Sequence, residues 1–249
     1  MKNVNSDVAY DYIRKRILSG EYPAGHSLST NSLSPEIGVS RTPVRDALRQ
    51  LEADGLVTIQ ARLGARVKSM DLKEFSEMCS MRLALESHAA GLAATHRTEA
   101  DLHEIAYALE AMRSLTKKII AVEKEDVLLG ELRKEDVRFH VAIMAAAKND
   151  LMRKEILRLH LINRVVSSPS PAIQDSLLAR SERDQRRREV LASHEEIFEA
   201  IKRSDVVAAK HAMERHIQDI VDTTLRAMAR FEGRQLVREL TEEELSYSA

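Results

Sequence analysis

The sequence predicts a mainly α-helical chain in two parts. A small N-terminal domain of three helices ends in a β-hairpin, and an all-helical bundle of about six helices follows. Three observations predict this. Residues 1–70 hold five of the eight glycines and most of the turn signals. Beyond Met70 apolar residues recur at helical spacing almost to residue 230. Charge divides in the same place, with +3 on residues 1–70 and −4 on the rest, for a total of −1. A basic first quarter on an acidic body suits an anionic partner for that quarter only.

Composition narrows the class. Hydrophobic residues make up 44% and charged residues 31%, ordinary globular values. No apolar run approaches the roughly 20 residues needed to span a bilayer, and "MKNVNSDVAYDY" lacks a secretory apolar core. One cysteine, Cys79, excludes an internal disulfide framework and fits a reducing compartment. A cytoplasmic protein without a membrane partner is expected. Aromatic residues are 4% with no Trp, which argues against stacking platforms for single strands or RNA.

In chain order, helices are expected near 6–19, 30–37 and 41–54, with a turn through "SGEYPAG" after the first. "LVTIQ" and "ARVKS" then form a hairpin around Arg62-Leu63-Gly64, on β-branched residues and a tip glycine. Asp71 with Glu74 and Thr98 with Asp101 read as capping boxes. Helices follow near 72–95, 98–121, 131–147, 150–166, 179–203 and 204–230. Pro169 and Pro171 mark a loop in "SSPSPAIQDS". The expected division is 1–70 for the first domain, 71–232 for the bundle and 233–249 for a polar tail.

"LSPEIGVSRTPVRDALRQLEADGLV" carries the first candidate site. Leu33, Ile37, Val39, Val44, Leu48, Leu51 and Leu56 can pack one small core. Gly38 ends one helix and allows a sharp turn, and Ser40 can cap the next through its hydroxyl. Arg41, Thr42 and Arg45 then occupy the first exposed turns of the second helix. In a helix-turn-helix these positions meet base edges in the major groove, where the arginine fork matches O6 and N7 of guanine. The hairpin becomes a wing, with Arg62 and Arg66 near phosphate or the minor groove. An ordinary three-helix domain with surface arginines is the plainer alternative.

These residues also carry a resemblance. "Y..IR..I..GEYPAG..L", "GVSRTPVRDALRQLEADGLV" and the later Gly64 and Val67 closely resemble the winged helix-turn-helix of the GntR family of bacterial regulators. The resemblance implies double-stranded DNA as partner, with contacts from Ser40, Arg41, Thr42, Arg45 and the wing from Arg62 to Gly64. A homodimer on a near-palindromic operator is expected as well, since one small wing domain offers too little contact for tight specific binding. Two positions depart from the family pattern. Asn31 stands where Arg or Glu is usual, and Ser34-Pro35 replaces Ala-Glu, which predicts a bent or late-starting helix.

A second candidate site lies in the bundle. "EDVRFHVAIMAAAK" is apolar nearly all round from Phe139 to Ala147, the mark of a buried helix. Yet Asp136 and His140 share one of its faces. His194 lies with Leu191, Ile197, Phe198 and Ile201, and His216 with Ala209, Met213, Ile217 and Ile220. A single histidine on an apolar face is usually a core residue. Three on separate inward faces, with an aspartate one turn before the first, fit one divalent cation that removes the burial penalty. Three nitrogens and one oxygen suit Zn²⁺, Ni²⁺, Co²⁺, Mn²⁺ or Fe²⁺ better than Ca²⁺ or Mg²⁺. His160 belongs to no such set by spacing.

"EDVRFHVAIMAAAKNDLM", "SHEEIFEAIKRSD" and "HAMERHI" resemble the FCD ligand-binding domain of the FadR branch of that family. This resemblance, over residues 72–230, implies that Asp136, His140, His194 and His216 bind one metal beside a pocket for a small carboxylate effector. A metabolite-responsive repressor is the implied function. Arg82 faces inward with Phe75, Met78, Leu85 and Ala89 and can hold an acid by a two-pronged pair; a salt bridge to Glu86 one turn on competes with that role. Arg164 is a second candidate, against a plain surface role. Two other readings use the same residues: a hydrolase-like enzyme whose ion activates water, and a regulator for which the ion itself is the signal. No metal-protease helix motif supports the first.

Overall fold

The computed structural model describes residues 4–60, 64–122, 126–166 and 179–236. Helix α1 (Val4–Ser19) buries Ala9, Ile13 and Ile17 at helical spacing. Strand β1 (Ser27–Leu28) precedes α2 (Thr30–Ile37) and α3 (Arg41–Ala53). Ser29 caps α2 by accepting the Asn31 N–H. Gly38 closes it at φ 78°, ψ 26°, and its N–H and that of Val39 both reach Ser34 O. The left-handed conformation costs glycine little, and the chain turns sharply into α3. Pro35 lies inside α2, which nevertheless starts on time at Thr30. Strands β2 (Val57–Gln60) and β3 (Gly64–Val67) form the hairpin, with Val57 opposite Val67 and Gln60 opposite Gly64. Residues 61–63 at its tip, Arg62 among them, lie outside the described residues.

Sequence reading missed β1. It pairs on the far edge of β3, Ser27 opposite Arg66 and Leu28 opposite Ala65, giving the antiparallel order β1-β3-β2. Two residues carry no periodicity; only the partner strand makes them a strand. Leu33, Val44, Leu48, Leu51 and Leu56 join Ile13, Ile17, Leu28 and Val67 in one core, with Ile37 and Val39 packed at its margin. Each fully buried aliphatic side chain there stabilises the fold by roughly 1.5–3 kcal/mol. Tyr12 and Tyr22 both donate to Glu36, fastening α1 and the turn after it to α2.

Six helices follow among the described residues: α4 (Leu72–His96), α5 (Glu99–Ala121), α6 (Asp126–Ala146), α7 (Asp150–Val166), α8 (Arg180–Lys202) and α9 (Val206–Leu236). Both predicted capping boxes are formed, Asp71 with Glu74 and Thr98 with Asp101. Helix α6 starts five residues before the expected 131, running through Gly130, whose helix penalty is only about 1 kcal/mol. Helix α9 continues past 230 and takes in residues 233–236 of the expected tail. The remaining tail and the "SSPSPAIQDS" loop lie outside the described residues. α9 runs along α4, α5 pairs with α6, and α8 packs against α9, α5 and α4. Their shared core includes Phe75, Ile105, Phe139, Ile143, Ile197, Ile201 and Met213. No helix among the described residues is long and apolar enough to cross a membrane.

A candidate metal centre and a candidate DNA-reading face

Helix α3 is strongly two-faced. Pro43, Val44, Ala47, Leu48 and Leu51 are buried, while Ser40, Arg41, Thr42 and Arg45 are all exposed around its N-terminus. The spacing that fixes the core therefore leaves two guanidinium groups on one accessible edge. Ser40 does occupy the N-cap position with extended backbone, but its hydroxyl makes no cap hydrogen bond. Gly64 is exposed at the start of β3. Arg66, on the next register position but one, donates from Nη1 to Gly25 O at 3.3 Å.

In the bundle, α6, α8 and α9 bring together His140, His194 and His216, all buried. One ligand-capable atom from each lies within 4.8 Å of the others. Ring centroids are 4.3 Å apart for His194 and His216, 5.2 Å for His140 and His216, and 5.4 Å for His140 and His194. Asp136 is half-exposed and reaches the cluster through His194, with Oδ1 3.2 Å from Nε2. The three histidines thus form one cluster, and Asp136 lies at its edge beside His194.

The hydrogen bonds fix the proton positions on His194 and His216. His194 Nδ1 lies 2.7 Å from Val190 O; a carbonyl only accepts, so Nδ1 carries the hydrogen and Nε2 of the neutral ring a lone pair. Ser193 gives its single hydroxyl proton to Val190 O. His216 Nδ1, 2.8 Å from that hydroxyl oxygen, must then donate, leaving its Nε2 as an acceptor. His216 Nε2 faces His140 Nε2 at 3.3 Å, and His140 Nδ1 faces Glu86 Oε2 at 3.6 Å. Ring nitrogens therefore converge from three histidines beside a carboxylate, those of His194 and His216 with lone pairs, and buried His194 Nε2 has no hydrogen-bond partner among the described residues. Ring nitrogens packed this closely can share one cation. Burial lowers the His140 imidazole to about 4 and the His216 imidazole to about 2, so both are neutral, the ligating state, at neutral pH. Desolvation raises the Asp136 carboxyl, but its His194 contact and the neighbouring imidazoles outweigh that and hold it below the usual range. The donor set fits a borderline divalent transition ion.

Residues 5–67 match the family described as bacterial regulatory proteins, gntR family, and residues 77–219 match the FCD domain. The chain is 32% identical over 226 residues to the HTH-type transcriptional regulator LutR of Bacillus subtilis (strain 168), covering 83% of this chain and 94% of that one. This chain belongs to the GntR family. It is a GntR-family transcriptional regulator with an FCD domain. The gluconate operon transcriptional repressor of Bacillus subtilis (strain 168) is 26% identical, over 86% of this chain and 82% of its own length. Among solved structures, E. coli McbR/YncC shares the fold with a TM-score of 0.68 at 20% identity, covering 91% of this chain and 99% of that one. A GntR regulator from Rhodococcus sp. RHA1 gives 0.66 at 22% identity, over 90% and 99%.

The two arginines expected to meet an effector stand away from the cleft that opens on His216. In this GntR regulator Arg82 is buried and donates to Glu86 Oε1 at 2.8 Å, the competing salt-bridge role. Arg164 Nε points to Leu18 O on α1 at 3.3 Å. The cleft, about 630 Å³, lies between α8 and α9, and its lining includes Arg186, Glu189, Ser193, His216, Asp219 and Arg226. Sequence reading also passed over His160 and the wider role of Glu86. His160 Nε2 is 3.0 Å from Glu86 Oε1, and its ring centroid is 5.6 Å from that of His140. His160 sits on α7, amid a mixed polar and apolar stretch, so helical period alone gave it no inward face.

Proposed function

We propose that this regulator is a cytoplasmic repressor whose FCD domain holds a divalent metal and a small carboxylate effector. The observation that carries the reading is the convergence of ring nitrogens from His140, His194 and His216 beside Asp136. These four residues would hold the ion, with Zn²⁺ the leading occupant. When bound, the ion supplies positive charge and open positions for a carboxylate oxygen. The cleft beside His216 gives an acid access, and Arg186 and Arg226 on its wall supply cations. The relative named for the gluconate operon supports both repression and an acid as signal. Titrating operator binding against Zn²⁺ and against hydroxy, sugar and dicarboxylic acids tests this. Affinity that falls with one acid only when metal is present supports the reading; indifference to every acid at full metal loading contradicts it.

The winged domain, which we assign to residues 1–70, reads DNA through Arg41 and Arg45, with Ser40, Thr42, Arg62 and Gly64 at the backbone. Replacing Arg41 or Arg45 with Ala is expected to remove about 1–3 kcal/mol of discrimination at particular base pairs. Binding to operator and to random duplex measures it, and equal loss on both would refute base reading by that arginine. One winged domain offers little contact area for tight specific binding. A two-fold homodimer through the helical body, with two recognition helices on two half-sites, supplies the rest. Sedimentation of the free protein and of its DNA complex should give two chains per operator; a monomer bound one-to-one would overturn the dimer.

A further inference from the structure

Helix α7 is unlike the other described helices. It alone contributes to all three apolar clusters: Ile156 to one beside α4, Leu159, Ile162 and Val166 to the bundle core, and Leu161 and Val165 to the core of the winged domain. Val165 is as buried there as the winged domain's own leucines. The fit at that end has no slack. Gly55 stands at φ 78°, and a Cβ on it would lie 2.7 Å from Ile162 Cδ1. Arg164 holds Leu18 O at the end of α1.

On the same C-terminal half, through His160, α7 meets the metal half-site. The Glu86 carboxylate, on α4 and 1% exposed, uses Oε1 for both Arg82 and His160 and turns Oε2 toward His140. One carboxylate thus touches α4, α6 and α7. With a metal held at Nε2, the hydrogen of neutral His140 would sit on Nδ1, the atom that faces this carboxylate at 3.6 Å. Carboxylates behind ligating histidines orient them in this way. His160 and Val165 are five residues apart, about 7.5 Å along the helix axis, and a hydrogen-bonded helix does not absorb a shift over that length.

We propose that α7 carries the state of the metal half-site to the winged domain, with Glu86 and His160 as the positioning residues that join it to His140. The proposal rests on the metal reading above. It supplies one rigid element that touches both sites, on which metal or effector acts, as coupling between sites requires. His160 is not one of the ligands, so replacing it should cut the signal and leave the ion in place.

The test uses the full-length protein as wild type, His160→Leu and His160→Gln. Glutamine retains a donor near the position of the histidine Nε2; leucine does not. Zinc content is measured by elemental analysis, and amide hydrogen exchange is followed in residues 13–20 and 51–58, with zinc and after chelation. In wild type, chelation should speed exchange in these winged-domain segments by about 5-fold or more, the lower end of ordinary coupling between sites. His160→Leu should retain zinc and lose most of that response, and His160→Gln should restore it. A full response in His160→Leu with zinc retained overturns the proposal, as does a wild-type response confined to the bundle. If wild type carries no zinc, the metal reading fails by itself. His140→Ala then replaces chelation as the perturbation: a His160-dependent change in the same segments supports the coupling, and none overturns it.

Discussion

Removing the metal is expected to lower the melting temperature of the bundle by on the order of 10 °C. An ion present at 1,000 times its dissociation constant adds about 4 kcal/mol to stability, and each kcal/mol is worth about 2–4 °C in a domain of this size. The chain gives reason to expect a large effect. Asp136 and His140 stand on α6, His194 on α8 and His216 on α9, so one ion ties together helices far apart in sequence. Without it, His194 Nε2 stands against Asp136 Oδ1 at 3.2 Å, and His216 Nε2 and His140 Nε2 have only each other, at 3.3 Å. His194→Ala should melt near the chelated wild type and respond no further to chelator. It should still bind DNA weakly, since Arg41 and Arg45 stand on a separate core. Calorimetry with and without chelator measures this. Wild type and His194→Ala melting alike, with equally little metal in each, would reduce the three histidines to core residues.

The sequence exposed the parts of this arrangement that repeat along one helix or one turn. Gly38 and the apolar spacing of α3 placed Arg41, Thr42 and Arg45 on an exposed edge because burying Val44, Leu48 and Leu51 leaves no other orientation. Asp136 and His140 were visible as a pair because they lie one turn apart on an otherwise apolar helix. His194 and His216 were visible because their own helices bury that face. What depended on a second chain segment was not visible. Strand β1 exists through β3. Ser40 kept its position but not its cap bond, a matter of side-chain rotation that residue type does not fix. Arg82 facing inward was legible, and its partner was one of the two alternatives weighed. That Glu86 also faces His160 on α7 and His140 on α6 is a three-helix coincidence, and no single periodicity contains it.

Glu86 is where the second large effect is expected. Glu86→Ala leaves Arg82, 5% exposed, with a buried charge and no carboxylate, and breaking a buried pair in this way costs about 3–5 kcal/mol. Burial alone would raise the Glu86 carboxyl, but Arg82, His160 and His140 outweigh it and hold it well below the usual carboxylate range, so the native group is an anion shared among three cations or donors. The double replacement Arg82→Leu with Glu86→Leu removes both charges, and exchanging a buried pair for apolar side chains is often neutral or stabilising. It should therefore recover most of the lost stability. Metal affinity should not recover with it. His140 still lacks the carboxylate behind Nδ1, and losing such a partner typically costs about 10–100-fold in affinity. Urea unfolding of the chelated proteins reads the first quantity, and competition with a chelating dye reads the second. Stability restored and zinc affinity still low in the double variant is the expected pair of results. Affinity returning to the wild-type value would mean that Glu86 serves Arg82 alone, and a double variant as unstable as Glu86→Ala would mean that the unpaired arginine is not what the single replacement costs.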